Sequence, residues 1–263
     1  MHQFYPYLTN KISENLYVFI ERNEPLYESW GRTLYVNSMQ LVIGTERAAL
    51  IDTGYGYGDL LALARKFTDL PLILLITHDS FDHWRGANQF SRTCEIYMNE
   101  FDQLAIADMK KSANIQFDAK PLNDGDVFDL GGIQLESIIV PGHTKGSICF
   151  LDRKNNHLFS GDAVNRLPWI FSGKSNVQQY CDALKRLRDM TPEQPDIFCG
   201  HAHESFPYQV LHDTIQACED VLAGAGDDPQ YRSPFEENGA FFPNVYMHET
   251  GLVRLCYSKD FIR

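Results

Sequence analysis

The chain has 263 residues, 44% of them hydrophobic, 13% aromatic and 22% charged, an ordinary globular composition that excludes collagen-like, disordered and disulfide-scaffold classes. With 35 acidic against 23 basic side chains, the formal net charge is −12, so no nucleic-acid partner is expected, because that needs a concentrated positive surface. The balance favours a small-molecule substrate.

In chain order, Asn15–Ile20 alternates as a strand does, Thr33–Ile43 reads as a longer strand, and Ala48–Ile51 runs into the turn Asp52-Thr53-Gly54. Tyr57–Phe67 carries apolar residues at helical spacing. Leu72–Ile76 is a fully apolar run bounded by Pro71 and the polar segment after it, as in a strand buried on both faces. A short helix is predicted over Asp82–Phe90, a strand over Glu95–Met98 and an amphipathic helix over Glu100–Ser112. Beyond the turn Asn123–Asp126 come a strand at Ile133–Val140, a hairpin from Ser147–Leu151 and His157–Phe159, and a helix at Gln178–Met190. A strand at Asp196–Cys199, a helix at Tyr208–Leu222 and strands at Asn244–His248 and Leu252–Tyr257 complete the pattern. With no linker or low-complexity stretch, the expectation is one α/β layered domain spanning residues 1–263.

The six cysteines form no CxxC pair, so reduced thiols are expected rather than a zinc finger or redox motif. The first residues lack the basic and apolar regions of a secretory signal, and no apolar run approaches the ~20 residues needed to span a bilayer. A cytoplasmic protein with no membrane partner is the expectation, and nothing in the sequence indicates an oligomeric state.

The chemistry is concentrated in a few short segments. Thr77–His83 supplies His78, Asp82 and His83 directly after a buried strand; Pro141–Ser147 supplies His143; Ser160-Gly161-Asp162 supplies Asp162; Gly200-His201 supplies His201. Imidazole and carboxylate are the ligands that hold Zn²⁺ while leaving a position open for water. Strand ends fix such ligands rigidly, and a neighbouring glycine lets the backbone pass close by. A metal site is therefore predicted from His78, Asp82, His83, His143, Asp162 and His201.

The ordered set LIDTG (Leu50–Gly54), TH-x-S-x-DH (Thr77–His83), PGHTKGS (Pro141–Ser147), SGD (Ser160–Asp162) and GH (Gly200–His201) resembles that of the metallo-β-lactamase-fold hydrolases, over about residues 12–220. The resemblance implies an αβ/βα four-layer sandwich with the metal site at one edge. It also implies that His78 and His143 hold a first metal, that Asp82, His83 and His201 hold a second, and that Asp162 bridges. Asp52 matches the family's strand-end aspartate, expected to orient a ligand by hydrogen bonding.

The family pattern is His-x-His-x-Asp-His, and Ser80 stands where the middle histidine belongs. Serine is a weak zinc ligand, so one Zn²⁺ is expected to bind tightly and a second weakly or not at all, as in the family's single-zinc β-lactamases. Ligand type alone leaves Fe or Mn open.

The function implied is a metal-dependent hydrolase, with the metal lowering the pKa of a bound water toward ~7 and polarising the bond to be cleaved. Asp82 and His78 are the expected catalytic residues, and a small ester, thioester, lactone or amide is the expected substrate. The alternatives are an iron-dependent oxidoreductase on the same fold, or a binding protein with a decayed site. His203 is weighed as a substitute ligand against a solvated residue, and Lys145 as a counter-charge against a loop lysine. Tyr27, Trp30 and Tyr35 on one side, and Trp169, Ile170 and Phe171 on the other, are candidate pocket walls.

Overall fold

The computed structural model describes residues 7–21, 36–224, 228–231 and 244–263. Its first sheet has seven strands in chain order: β1 (Tyr7–Lys11), β2 (Leu16–Glu21), β3 (Asn37–Ile43), β4 (Ala48–Ile51), β5 (Leu72–Leu75), β6 (Glu95–Met98) and β7 (Lys120–Pro121). The strands are antiparallel up to β4 and parallel from β4 onward. Between β4 and β7 lie helices α1 (Leu60–Ala64), α2 (Phe81–Trp84), α3 (Glu100–Ala105) and α4 (Ala107–Ser112).

The second sheet comprises β8 (Val127–Asp129), β9 (Gln134–Ile139), β10 (Ile148–Asp152), β11 (His157–Gly161) and, after β12 (Trp169–Ile170) and helix α5 (Val177–Met190), strand β13 (Asp196–Cys199). Strand β13 pairs parallel with β11, and the rest of the sheet is antiparallel. Helix α6 (Gln209–Leu222) follows, and β14 (Val245–Thr250) and β15 (Val253–Ser258) form a small third sheet with β12.

The layering follows from side-chain parity. Along β4, Ala49 and Ile51 face one cluster and Ala48 and Leu50 another; along β5, Ile73 and Leu75 join the first, Leu72 and Leu74 the second. The first cluster also takes Ile148, Phe150, Phe159 and Phe198 from the second sheet, so the two sheets pack face to face. The opposite parity, Cys149, Leu151, Leu158 and Ile197, meets α5 and α6 through Tyr180, Leu184, Leu211 and Ile215. The outer face of the first sheet is covered by Leu60, Ala64, Trp84 and Ile106. Helix, sheet, sheet, helix is the predicted four-layer order.

Several predicted elements are shorter than the sequence suggests. The Tyr57–Phe67 helix contracts to α1, where Asp59 caps the start by accepting from Ala62 N at 2.8 Å, and Arg65 turns its guanidinium onto the Leu70 carbonyl at 2.6 Å. The Asp82–Phe90 helix is α2 followed by a 3₁₀ turn at Arg85–Gln89. The Glu100–Ser112 helix breaks at Ile106, whose backbone (ψ −3°) steps out of the helix while its side chain enters the core, leaving Phe101 and Leu104 exposed. Strands β1, β7, β8 and β12 were not predicted; β7 and β12 have only two residues each, too few for a periodic signal. Of the Thr33–Ile43 strand, β3 is present and residues 33–35 lie outside the described residues, as do Tyr27 and Trp30.

Candidate metal centre

The ends of β4, β5, β11 and β13 meet at one edge of the sandwich. Backbone hydrogen bonds tie the two sheets there, Ile148 N donating to Thr77 O (3.0 Å) and Ser38 N to Gly200 O (2.8 Å), while Gly200 N donates to Gly161 O (2.9 Å) within the second sheet. Two glycines are required by this closeness. A Cβ on Gly161, whose φ is +51°, would stand 2.5 Å from Thr77 Oγ1, and one on Gly200 would stand 2.4 Å from the His83 ring.

Asp52, at the end of β4, is buried and organises the edge. Its Oδ1 accepts from Thr77 N (2.8 Å), and its Oδ2 accepts from Thr77 Oγ1 (2.8 Å) and His83 Nδ1 (2.7 Å). Because the Thr77 hydroxyl donates to Asp52, its 2.9 Å contact with His78 Nδ1 requires that nitrogen to be the donor. One carboxylate thus fixes the ring of His83 directly and that of His78 through Thr77. Two backbone carbonyls do the same elsewhere: His201 Nδ1 donates to Val36 O (2.9 Å) and His143 Nδ1 to Trp169 O (3.1 Å). With every Nδ1 committed outward, all of these imidazoles turn Nε2 toward the centre.

Those Nε2 atoms surround Asp162. Asp162 Oδ2 lies 3.1 Å from His201, 3.8 Å from His143 and 3.9 Å from His78, while Oδ1 lies 3.6 Å from His83. Asp82 Oδ2 stands 3.8 Å from His83 Nε2 and 3.7 Å from His201 Nε2. Among the described residues, two groups have donor atoms close enough to share a cation: His78, His83 and Asp162, and Asp82, His83 and His201. His83 belongs to both. The Nε2 atoms of His78 and His83 and the Oδ1 of Asp162 are buried with no hydrogen-bond partner among the described residues. Buried polar atoms are seldom left so, and a shared cation satisfies all of them at once.

His143 differs from the other imidazoles. Its Nε2 sits 3.1 Å from Ser80 Oγ, and since its Nδ1 donates to Trp169, the serine hydroxyl must donate here. The residue in place of the middle histidine therefore occupies the lone pair that His143 would offer a first metal. Lys174 also reaches the edge, ion-paired with the buried Asp79 beside Ser80.

The charges oppose one another. For His83, burial disfavours the cation most, yet Asp162, Asp52 and Asp82 outweigh it and raise the group to about 10. For His201, burial again opposes, and Asp162 and Asp82 lift it to about 9. Burial lowers His78, helped by repulsion from His83, and lowers His143 despite Asp162. Asp162 is held well below the carboxylate range because His201 and His83 overcome its burial. Raised histidines stabilise the fold fully below their unfolded value near 6.5, and that contribution is lost as pH climbs through 9 to 10. Chelator-treated protein is therefore expected to melt at progressively lower temperature from pH 7 to pH 10. An unchanged or rising melting temperature would contradict the His83 and His201 pairing.

All the sequence-predicted ligands are thus brought to one edge. His203 is exposed and falls in neither group, and Lys145 is also exposed. Ile170 and Phe171, predicted as pocket wall, are instead buried in apolar clusters, because β12 packs as a strand against β15. Trp169 is half-buried with its ring against Phe171 and Tyr231. Sequence reasoning missed Thr77 as the link between Asp52 and His78, although it sits inside the motif. It also missed the carbonyls of Val36 and Trp169, which carry no residue signature.

A family model described as the metallo-beta-lactamase superfamily matches residues 31–201. The chain is 31% identical over 205 residues to an acyl-coenzyme A thioesterase, MBLAC2, of Homo sapiens, covering 63% of this chain and 72% of that protein. It is 29% identical over 158 residues to a probable polyketide biosynthesis zinc-dependent hydrolase, BaeB, of Bacillus velezensis, covering 56% of this chain and 64% of that one. Among solved structures, a metallo-beta-lactamase from Pontibacter korlensis superposes with a TM-score of 0.67 at 19% identity, covering 81% of this chain and 99% of that one. No helix among the described residues is long and apolar enough to cross a membrane. The chain belongs to the metallo-beta-lactamase superfamily and is a metal-dependent hydrolase.

Proposed function

We propose that the chain is a zinc-dependent hydrolase of small acyl compounds, with thioesters as the foremost substrate class ahead of esters, lactones and amides. The observation that carries the metal is the set of inward-facing ligand atoms with no hydrogen-bond partner among the described residues: Nε2 of His78 and His83 and Oδ1 of Asp162. Neutral imidazoles with carboxylates suit zinc, and Asp82, His83, Asp162 and His201 are the residues that would hold the tighter ion. When bound, zinc supplies Lewis acidity that polarises an acyl carbonyl and acidifies a water.

The side chains perform the remaining work. Asp82 is half-buried at the rim, where its carboxylate can take a proton from the attacking water and return it to the leaving group. His78, held by Thr77, and His143, held by Trp169 and Ser80, have fixed ring orientations and would present them to the reacting group. The thioester class is supported by the likeness to an acyl-coenzyme A thioesterase.

The reading is tested by assaying zinc-loaded protein for thiol release from acyl thioesters, beside parallel panels of lactones, β-lactams and phosphodiesters. Thioesters are expected to give the highest kcat/KM, with turnover abolished by chelation and restored by Zn²⁺. Turnover confined to phosphodiesters, or chelator-insensitive thioester cleavage, would overturn it.

A further inference from the structure

His143 is carried on a loop, Pro141–Ser147, with β9 before it and β10 after it. The loop is pinned on both sides. Upstream, a Cβ on Gly142 would lie 2.1 Å from the ring of Tyr180, whose hydroxyl donates to Ala163 O at 2.6 Å, next to Asp162. Downstream, the pin is a carboxylate from the other sheet's helical layer. Asp102, on α3, has a relative exposure of 1%. Its Oδ2 accepts from Thr144 Oγ1 (2.7 Å) and its Oδ1 from Gly146 N (3.0 Å).

The same loop closes on itself around this carboxylate. Thr144 N donates to Ser147 Oγ at 3.0 Å, and the two hydroxyls are 2.8 Å apart. Since Thr144 donates its proton to Asp102, Ser147 must donate to Thr144. Gly146 admits no other residue: a Cβ there would stand 2.6 Å from Asn99 Oδ1 and 2.8 Å from Asp102 Cγ. Both groups facing Asp102 are donors, one on each oxygen. A carboxylate answers both, whereas an amide of the same shape presents N–H₂ to one of them.

Holding this carboxylate is costly. Burial and the nearby Asp79 push Asp102 up to about 6, against its bonds to Thr144 and Gly146 and the charge of Lys174. A buried charge retained against that cost holds the residues on either side of it in one geometry.

We propose that Asp102 is a positioning residue for His143. Its carboxylate locks Thr144 and Gly146 so that His143 Nδ1 meets the Trp169 carbonyl and Nε2 faces Asp162 and Ser80. The inference rests on the proposed function only for its consequence on turnover; the orientation of His143 is independent of it.

The test compares Asp102→Asn with Asp213→Asn as a matched control. Asp213 is also a buried carboxylate, accepting from Gln209 Nε2 (2.8 Å) and Leu252 N (2.7 Å), but it lies in α6 away from the centre. The first readout is the long-range ¹H–¹⁵N spectrum of histidine in chelator-treated protein. Asp102→Asn is expected to abolish the Nδ1–H tautomer of His143, and Asp213→Asn to leave it intact. The second is steady-state kinetics of the zinc-loaded protein: kcat is expected to fall about tenfold to a hundredfold in Asp102→Asn only, with metal content unchanged.

Thr144→Val is expected to reproduce the effect and Thr144→Ser to restore the native signature, which keeps the test decisive if Asp102→Asn fails to fold. Native His143 resonances in Asp102→Asn or in Thr144→Val, with only a stability loss like that of the control, would overturn the inference. Failure of the wild type to take up Zn²⁺ would count against the metal-centre reading instead, and the histidine spectrum would still decide the role of Asp102.

Discussion

Asp82→Ala and His201→Ala are each expected to remove tightly bound metal and to lower kcat/KM by more than about a hundredfold. Asp82 and His201 reach the same point from opposite sheets: Asp82 from helix α2 after β5, His201 from just beyond the end of β13, with Asp82 Oδ2 3.7 Å from His201 Nε2. Neither can be replaced by water, which has neither the charge of one nor the basicity of the other. Alanine at either position also leaves His83, raised to about 10 by Asp162, Asp52 and Asp82 against its burial, in a changed balance. In Asp82→Ala one of those carboxylates is gone, so His83 should titrate lower. In His201→Ala, Asp162 loses its 3.1 Å partner. Metal content by elemental analysis and steady-state kinetics check both variants; native content and turnover in either would remove these residues from the assignment.

Ser80→His is expected to raise metal stoichiometry from about one toward about two per chain. The serine hydroxyl donates to His143 Nε2 at 3.1 Å, so the first site is closed by a hydrogen bond as well as short of a ligand. Histidine at position 80 removes that donor and adds a nitrogen. His78, His143 and the new ring would then supply neutral nitrogens around Asp162, already 3.9 Å and 3.8 Å from the first two. Zinc titration of chelator-treated protein measures the change. An unchanged stoichiometry in Ser80→His would mean that Ser80 does not set the occupancy of the first site.

The parts of this centre legible in the sequence were those written in residue types. Apolar runs such as Leu72–Ile76 fix which faces of a strand are buried, and the segments ending in His78, His83, Asp162 and His201 name their own chemistry. The supports were not legible because they come from distant chain or from the backbone. Asp102 meets Thr144 and Gly146 only because the helix after β6 packs against the loop after β9, and the carbonyls of Val36 and Trp169 orient His201 and His143 whatever their side chains are. Helix length failed for a similar reason: local periodicity through Glu100–Ser112 could not register that Ile106 is drawn into the core at the cost of the helix. The predicted wall at Ile170 and Phe171 failed because β15, distant in sequence, claims that segment as a strand.

The proposed function requires a single strong metal centre built on Asp82, His83, Asp162 and His201 beside a first site weakened by Ser80. Zn²⁺ titration of chelator-treated wild-type protein, followed by calorimetry with elemental analysis of the product, tests it most directly. About one equivalent should bind tightly with release of protons from His83 and His201, which are raised to about 10 and about 9, and a second should bind far more weakly or not at all. Two equivalents of similar affinity, or no saturable binding, would contradict it.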